Sequence, residues 1–298
     1  MNGKQSDNTK KLPLITIGVS AYNRKDFLAL SLDSLLAQTY PECEIIVIDD
    51  GSTDGTKELM QEKYPSIRYV YQENAGDAAA KNHAARLARG EYIVFNDSDD
   101  LFFPDTVERL YHALAGKANT CSYGTYQTID AKGNILPTKK KVKDYPSGNI
   151  TEKLLSHIVV NNCGTLIPVK YFRNGYKFDE KLKVSYDYAF FLQLSLECEF
   201  AAVQEPVFYR RRHSSNLSGA TYEKLLISFG VFDSFIKSHP EIREKYPETT
   251  GRRYADYHNK LYREAKKEKK KEERFFHAKA AWKARPSLKN LVRYLISF

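Results

Sequence analysis

The sequence has 298 residues, of which 42% are hydrophobic and 13% aromatic, and this excludes a globally disordered chain. The net charge of +9 is concentrated at one end. Residues 252–298 hold 15 Lys and Arg against 5 Asp and Glu, whereas the rest of the chain is almost neutral. A nearly neutral body argues against nucleic-acid binding, and we expect no nucleic-acid partner.

Cysteine spacing and apolar run length limit the cellular setting. The four cysteines form no C-x-x-C pair, so the sequence indicates neither a zinc site nor a disulfide framework. Residues 1–12 are a polar tail without a signal-like segment, and no apolar run approaches the roughly 20 residues that cross a bilayer. We therefore expect a soluble cytoplasmic protein, or one bound at the inner face of the membrane.

Apolar runs alternate with amphipathic segments through the first hundred residues. The pattern predicts strands at 14–19, 44–48, 68–71 and 92–95, and helices at 27–38, about 54–64 and 78–88. This alternation predicts an α/β fold with a mostly parallel sheet covered by helices on both faces. Polar clusters follow three of the strands, at 20–22, 49–52 and 97–100. Because ligands bind at the carboxyl ends of parallel strands, these clusters predict a shared site.

The pattern loosens after residue 120. Strand-like pieces stand at 121–128, 164–168 and 203–209, with a helix predicted at 188–196 and a Lys-rich solvated loop at 139–143. Beyond residue 218 the sequence is helical in pattern. We therefore predict a tail over 1–12, an α/β domain over 13–220, and a basic helical extension over 221–298.

Asp97, Ser98 and Asp99 predict a cation site. In an extended segment, side chains two residues apart point the same way, so the carboxylates of Asp97 and Asp99 converge. Two convergent carboxylates destabilise each other unless a cation joins them. Mg²⁺ or Mn²⁺ suits such oxygen ligands and commonly bridges to substrate phosphates. A turn followed by a helix cap is the alternative interpretation.

Tyr22 and Asp50 lie on neighbouring predicted strand ends. An aromatic ring there can stack on a nucleobase, and a carboxylate can accept from the imide N–H of uracil or thymine. Taken singly, Tyr22 is also compatible with simple packing, and residues 49–52 with a turn and a helix cap.

Several segments keep a characteristic order and spacing along residues 13–115. They are 19–24 (VSAYNR), 34–41 (SLLAQTYP), 48–56 (IDDGSTDGT), 74–76 (NAG), 81–82 (KN) and 90–100 (GEYIVFNDSDD). Together they resemble family 2 glycosyltransferases of the GT-A fold, and a weaker match continues to about residue 218. The resemblance implies a GT-A domain followed by the helical extension.

The resemblance also implies a set of roles. Nucleotide contacts would come from Ser20, Tyr22, Asn23, Arg24, Asp50, Asn74, Lys81, Asp97 and Ser98. The divalent metal (Mg²⁺ or Mn²⁺) would be bound by Asp97, Asp99 and His213, and the diphosphate by Arg210, Arg212 and His213. The family often has Arg at the position of Lys81. The implied reaction is inverting transfer from a UDP-sugar, or another nucleotide-diphosphate sugar, to a glycan or lipid-linked acceptor, typically in bacterial polysaccharide or surface-glycan synthesis.

Many relatives carry Glu-Asp at the start of a later helix, where the Asp is the catalytic base. Here Asp187 is retained while Tyr186 replaces the Glu, which leaves the acceptor contacts less certain than the base. Without the resemblance, Asp187 would be interpreted as a helix N-cap. Two other functions remain open: a nucleotidyltransferase of related fold, and a non-catalytic nucleotide-sugar-binding scaffold.

The basic extension has two interpretations. A charged helix that packs against the body or a second subunit is one. Peripheral membrane contact is the other, because an amphipathic cationic terminus with Trp and Phe can lie on an anionic bilayer.

Overall fold

The structure is a computed structural model that describes residues 11–137, 145–214 and 221–297. Three sequence predictions fall partly or wholly outside these ranges: most of the N-terminal tail, the Lys-rich loop at 139–143, and the end of the α/β domain at 215–220. The described strands are β1 (Ile15–Ala21), β2 (Cys43–Asp49), β3 (Arg68–Tyr71), β4 (Tyr92–Asp97), β5 (Leu101–Phe102), β6 (Thr120–Ile129), β7 (Thr165–Pro168) and β8 (Glu199–Arg211).

Helices cover this sheet and form the C-terminal part of the described chain. They are α1 (Lys25–Leu36), α2 (Thr56–Lys63), α3 (Asp77–Leu87), α4 (Thr106–Ala113), α5 (Thr151–Ser156), α6 (Lys170–Arg173), α7 (Tyr186–Leu194), α8 (Tyr222–Ser238), α9 (Pro240–Lys245), α10 (Pro247–Lys267), α11 (Lys271–Ala284) and α12 (Leu288–Leu295). The strands and helices predicted before residue 100 are confirmed, with ends displaced by at most about two residues.

All eight strands join one sheet in the order β3-β2-β1-β4-β7-β6-β8-β5. The central strands are parallel, because β1 pairs with β2 and β4, and β2 pairs with β3. This confirms the predicted α/β class. The remainder is mixed: β7 runs antiparallel to both β4 and β6, whereas β6 and β8 are parallel. The short strand pieces after residue 120 therefore continue the same sheet, which periodicity alone does not indicate.

Alternation along the strands explains why both faces of the sheet are buried. On β2, Val47 packs with Leu28 and Leu32 of α1, whereas its neighbours Ile46 and Ile48 pack on the opposite side. All five side chains are fully buried. Because successive side chains of a strand point to opposite faces, a continuous apolar run is the pattern of a strand covered on both sides.

The C-terminal helices share this core. Phe232 and Phe235 of α8, with Tyr257 of α10, belong to the same buried cluster as Phe190 and Phe191 of α7. Packing of the extension against the body, one of its two interpretations, is therefore present. The domain boundary at residue 220 stays a prediction. In the described residues, no helix combines the length and apolar character that crossing a membrane requires.

Candidate active site

Strand register brings the predicted polar clusters to one edge of the sheet. Ser20 of β1 pairs with Asp97 of β4, and Ala21 pairs with Asp49 of β2. A cleft of about 490 Å³ opens at this edge. The predicted residues that line it are Ser20, Tyr22, Arg24, Asp50, Asn74, Asp97, Ser98, Asp99, Asp187 and Arg210. Four other predicted residues do not line it: Asn23, Lys81, Arg212 and His213.

The Asp50 carboxylate is buried and rigidly held. Its Oδ1 accepts from the Gln72 side-chain amide at 2.7 Å and the Ala75 backbone N–H at 2.9 Å. Its Oδ2 accepts from the Gly76 N–H at 2.9 Å. An ionised carboxylate offers about four acceptor positions, so Oδ2 can take a further donor from the cleft. Tyr22, which is 50% exposed, lines the same cleft and supplies an aromatic face.

Asn23 connects two loops below the cleft entrance. Its backbone N–H donates to Ser52 Oγ at 2.9 Å, and its side-chain oxygen accepts from the Thr53 N–H at 2.8 Å. The residue has a positive φ of 50°, which Asn tolerates better than most residues. Gly51 lies in the partner loop with φ +86°, where a Cβ would come 2.9 Å from the Asn74 nitrogen. Close packing of these loops fixes the strand ends.

Lys81 lies beneath the cleft, 1% exposed. Its ammonium donates to Asp77 at 2.7 Å, to Asp97 at 2.8 Å and to the Tyr186 hydroxyl at 3.1 Å. Burial alone would lower the pKa of Lys81, but the Asp77 and Asp97 carboxylates raise the pKa well above its usual value. The lysine therefore stays charged and holds Asp97 in place.

The sequence did not predict that Asp77 and Tyr186 belong to this hydrogen-bond network. The Asp77 carboxylate accepts from Ser20 Oγ and from the Tyr186 hydroxyl as well as from Lys81. Although burial opposes it, the Lys81 ammonium lowers the pKa of Asp77. Asp77 directly follows the 74–76 segment of the family resemblance, and this position was a sequence signal that Asp77 lies near the site. An Asp in the first turn of a helix is common, because it interacts favourably with the helix dipole, so the residue type alone does not indicate a site.

A left-handed turn directs the start of α7 into the cleft. Ser185, at the N-cap position, has φ 63°, an unusual conformation for a non-glycine residue. Asp187 is the second residue of the helix, so the N-cap interpretation is wrong. Burial raises the pKa of Asp187, and the Asp97 carboxylate adds to the shift while Lys81 opposes it. A raised pKa makes this carboxylate a stronger proton acceptor than an exposed aspartate.

Asp99 and His213, two of the residues that the sequence predicts to bind a metal, are in contact. Their side chains approach to 2.8 Å between Oδ2 and Nε2, and His213 stacks on Phe27 at a centroid distance of 4.8 Å. The described part of the chain contains no group of three or more His, Cys, Asp or Glu side chains able to hold an ion. Mg²⁺ commonly binds through one or two protein ligands together with substrate phosphates and water, so this pair fits an ion shared with a diphosphate.

Charge crowding at Asp97 is consistent with such an ion. Burial raises the pKa of Asp97, and the Asp77 and Asp99 carboxylates raise it further, against the opposing effect of Lys81. A cation near Asp99 relieves this repulsion.

The three consecutive arginines at the end of β8 have different positions. Arg210 lines the cleft and lies 5.2 Å from the centroid of the Tyr126 ring. Arg211, which was not predicted, is buried, lines the cleft and donates to the Asp99 carbonyl at 3.0 Å. Arg212 is exposed. A run of identical residues carries no sequence signal of which side chain points inward.

The sequence is similar to those of known glycosyltransferases. The profile of glycosyl transferase family 2 matches residues 16–176. A chondroitin synthase of Escherichia coli is 31% identical over 218 residues, which cover 72% of this chain and 31% of that protein. An uncharacterised glycosyltransferase of Rickettsia typhi is 30% identical over 229 residues, which cover 76% and 72%. The chain thus spans about a third of the length of the chondroitin synthase.

Solved structures share the fold at low identity. TarS of S. aureus in complex with UDP-GlcNAc has a TM-score of 0.62 at 17% identity, over 95% of this chain and 90% of that chain. A mannosyltransferase from Pyrobaculum calidifontis, in complex with GDP-Man and Mn²⁺, has a TM-score of 0.61 at 16% identity, over 96% and 80%. With a family profile that covers more than half of its length and the predicted GT-A fold, the chain belongs to glycosyl transferase family 2.

Proposed function

We propose that this glycosyltransferase moves a sugar from a UDP-sugar to an acceptor hydroxyl with inversion at the anomeric carbon. One observation carries the proposal: Asp50, Asp99 and Asp187, which are far apart in sequence, line a single cleft. The acceptor we propose is a glycan or a lipid-linked sugar in the synthesis of a bacterial polysaccharide or surface glycan. We also propose a location on the cytoplasmic side, with peripheral membrane contact through the C-terminal helices.

The donor end of the cleft supports a nucleotide sugar. Asp50 Oδ2 retains acceptor capacity beside the exposed ring of Tyr22. An acceptor-only group pairs with the imide N–H of uracil but not with the bare ring nitrogen of cytosine. TarS in complex with UDP-GlcNAc and the mannosyltransferase in complex with GDP-Man support the nucleotide-diphosphate class.

A divalent cation fits the pair formed by Asp99 and His213, with Asp97 nearby. When bound, it supplies positive charge that stabilises the leaving diphosphate. Arg210 lines the same cleft and adds a fixed cation toward that group. The Mn²⁺ in the mannosyltransferase structure supports use of such an ion in this fold.

Asp187 is the group best suited to take the acceptor proton. The acceptor oxygen bonds to the anomeric carbon as the bond from that carbon to the diphosphate oxygen breaks, and the hydroxyl proton passes to the Asp187 carboxylate. Attack from the side opposite the diphosphate inverts the configuration. Tyr186, next in the chain, hydrogen-bonds to Asp77 and Lys81, so the network that holds Asp97 also holds the start of α7.

The decisive experiment measures product release with a panel of UDP-sugars in the presence of Mn²⁺. We expect nucleoside diphosphate release in the wild type, and retained UDP binding with much slower release in Asp187→Asn. Binding without turnover in both proteins would support the scaffold alternative. Release of pyrophosphate from UTP and a sugar 1-phosphate would support the nucleotidyltransferase.

A further inference from the structure

Helix α12 turns its apolar side chains away from the protein. Leu288, Val292, Leu295 and Ile296 recur at helical spacing and are 78%, 47%, 57% and 67% exposed. This spacing places them along one face of the helix. They are four of the thirteen exposed large apolar side chains found among the described residues. Scattered exposed apolar residues are normal, whereas a patch of this kind indicates an interaction surface.

The opposite face of α12 attaches the helix through polar and aromatic contacts. Asn290 is buried, and its amide donates to the carbonyl groups of Ala281 at 3.3 Å and Arg285 at 3.0 Å. The Tyr294 ring stacks on Trp282 with centroids 5.8 Å apart and planes 6° from parallel. Since these contacts dock the helix, the apolar face is left for a partner.

The positive charge of the C-terminal segment indicates what kind of partner the apolar face of α12 binds. α12 has no acidic residue, and its Lys289 is exposed, whereas its Arg293 donates to the Asn259 side chain and lies over the Tyr262 ring. Residues 252–298 hold ten more basic than acidic groups. An apolar stripe flanked by cations is the pattern of a helix that lies in the interface of an anionic bilayer. A second copy of this chain would bring together two surfaces of the same charge, which repel each other.

We propose that α12 lies in the interface of an anionic lipid membrane, with Leu288, Val292, Leu295 and the adjoining Ile296 inserted and Lys289 among the headgroups. This surface is separate from the cleft residues, and vesicle binding is measured without donor or acceptor. The proposal therefore stands or fails independently of the transfer reaction.

Cosedimentation of the full chain with lipid vesicles tests the proposal. We expect binding to phosphatidylcholine vesicles that contain about 30% phosphatidylglycerol, weakened by added salt, and much weaker binding to phosphatidylcholine alone. Joint substitution Val292→Gln and Leu295→Gln should lower the partition coefficient about tenfold or more. The matched control is Leu30→Gln with Leu36→Gln on α1, where the side chains are 49% and 54% exposed. The control should bind like the wild type.

A second variant changes only exposed charges, so that a loss of vesicle binding in it does not come from disruption of the apolar face. Lys283, in the last turn of α11, and Lys289 of α12 are both exposed. Lys283→Gln with Lys289→Gln leaves the apolar face intact and should weaken binding to the anionic vesicles alone. Equal binding to neutral and anionic vesicles, or an equal loss in the α1 control, would overturn the proposal. So would a concentration-dependent dimer that the Val292 and Leu295 substitutions dissociate, because a second copy would then cover the face.

Discussion

Charged side chains are usually exposed and apolar side chains are usually buried. The cleft region departs from this pattern with a buried charge, and helix α12 departs from it with exposed apolar side chains. Beneath the cleft, Lys81 is 1% exposed, and on α12, Leu288 is 78% exposed. Each reversal is stabilised by neighbours: two carboxylates pair with the lysine, and the buried side of α12 docks through Asn290. We propose that polar burial at the cleft serves charged ligands and that apolar exposure on α12 serves the membrane.

The largest expected effect is on turnover in the cleft. Asp187→Asn keeps the size and much of the hydrogen bonding of the side chain but removes its basicity. We expect kcat to fall by about 10²- to 10⁴-fold, the usual contribution of a general base. The affinity for UDP, measured by titration calorimetry, should change little. Near wild-type turnover in this variant would contradict the assignment of the base.

Removal of the buried Lys81 charge tests how much its ion pairs with Asp77 and Asp97 stabilise the protein. Lys81→Met should destabilise the protein by about 3 kcal/mol, the lower end of the range for a broken buried pair, since the Asp97 side chain is 44% exposed. The matched control is Lys63→Met, whose pair with Asp33 is 52% exposed on both sides. There we expect a much smaller loss of stability, because solvent screens an exposed ion pair. Urea unfolding measures both, and equal losses would contradict the network.

The pH dependence of kcat follows from the raised pKa of Asp187. The base must be ionised, so activity should fall about tenfold per pH unit once the pH drops below this pKa. Because burial raises the pKa, the decline should begin at a higher pH than for an exposed aspartate. Residual activity of Asp187→Asn should lack this decline. If the same decline persists there, another group is responsible.

Tyr186→Phe should lower kcat less than Asp187→Asn does. It tests whether the Tyr186 hydroxyl positions the start of α7 for catalysis or only stabilises the fold. Loss of the Tyr186 hydroxyl removes one hydrogen bond from Asp77 and one from Lys81, which costs about 1 kcal/mol of stability. Tyr188→Phe in the same helix is the control, because its hydroxyl donates to the Leu154 carbonyl at 3.0 Å and belongs to a different group of contacts, with Arg253 and Tyr257. Both variants should lose similar stability, but kcat should fall only in Tyr186→Phe. An unchanged kcat in both would exclude a positioning role.

The smallest effect is expected on α12. Leu295→Ala should change the free energy of unfolding by less than about 0.5 kcal/mol, as is usual at exposed positions. The same truncation at Leu261 of α10, which is fully buried, should cost about 2–5 kcal/mol. Thermal or urea unfolding compares the two. A large loss at Leu295 would mean that its apolar face is covered in the free protein.

Local sequence patterns sufficed for the first half of the fold and for the outline of the site. Unbroken apolar runs such as 45–48 indicated buried strands, because a strand covered on both faces needs every side chain apolar. The polar strand ends followed from the same alternation. Asp99 did not, because Ser98 and Asp99 lie in a turn after β4 and not in the extended segment that the sequence suggested. The family resemblance then supplied Asp187, which no local pattern distinguished from a helix cap.

Tertiary structure decided which distant groups meet. The Cys121 and Cys198 sulfurs lie 3.2 Å apart although 77 residues separate them, and Tyr186 reaches Lys81 from 105 residues away. Sequence also showed that the C-terminal segment is amphipathic, but not that α12 turns its apolar face outward. Periodicity records only which side chains share a face of a helix. The direction of that face depends on the partners available to the opposite side, and these are set by the packing of the whole chain.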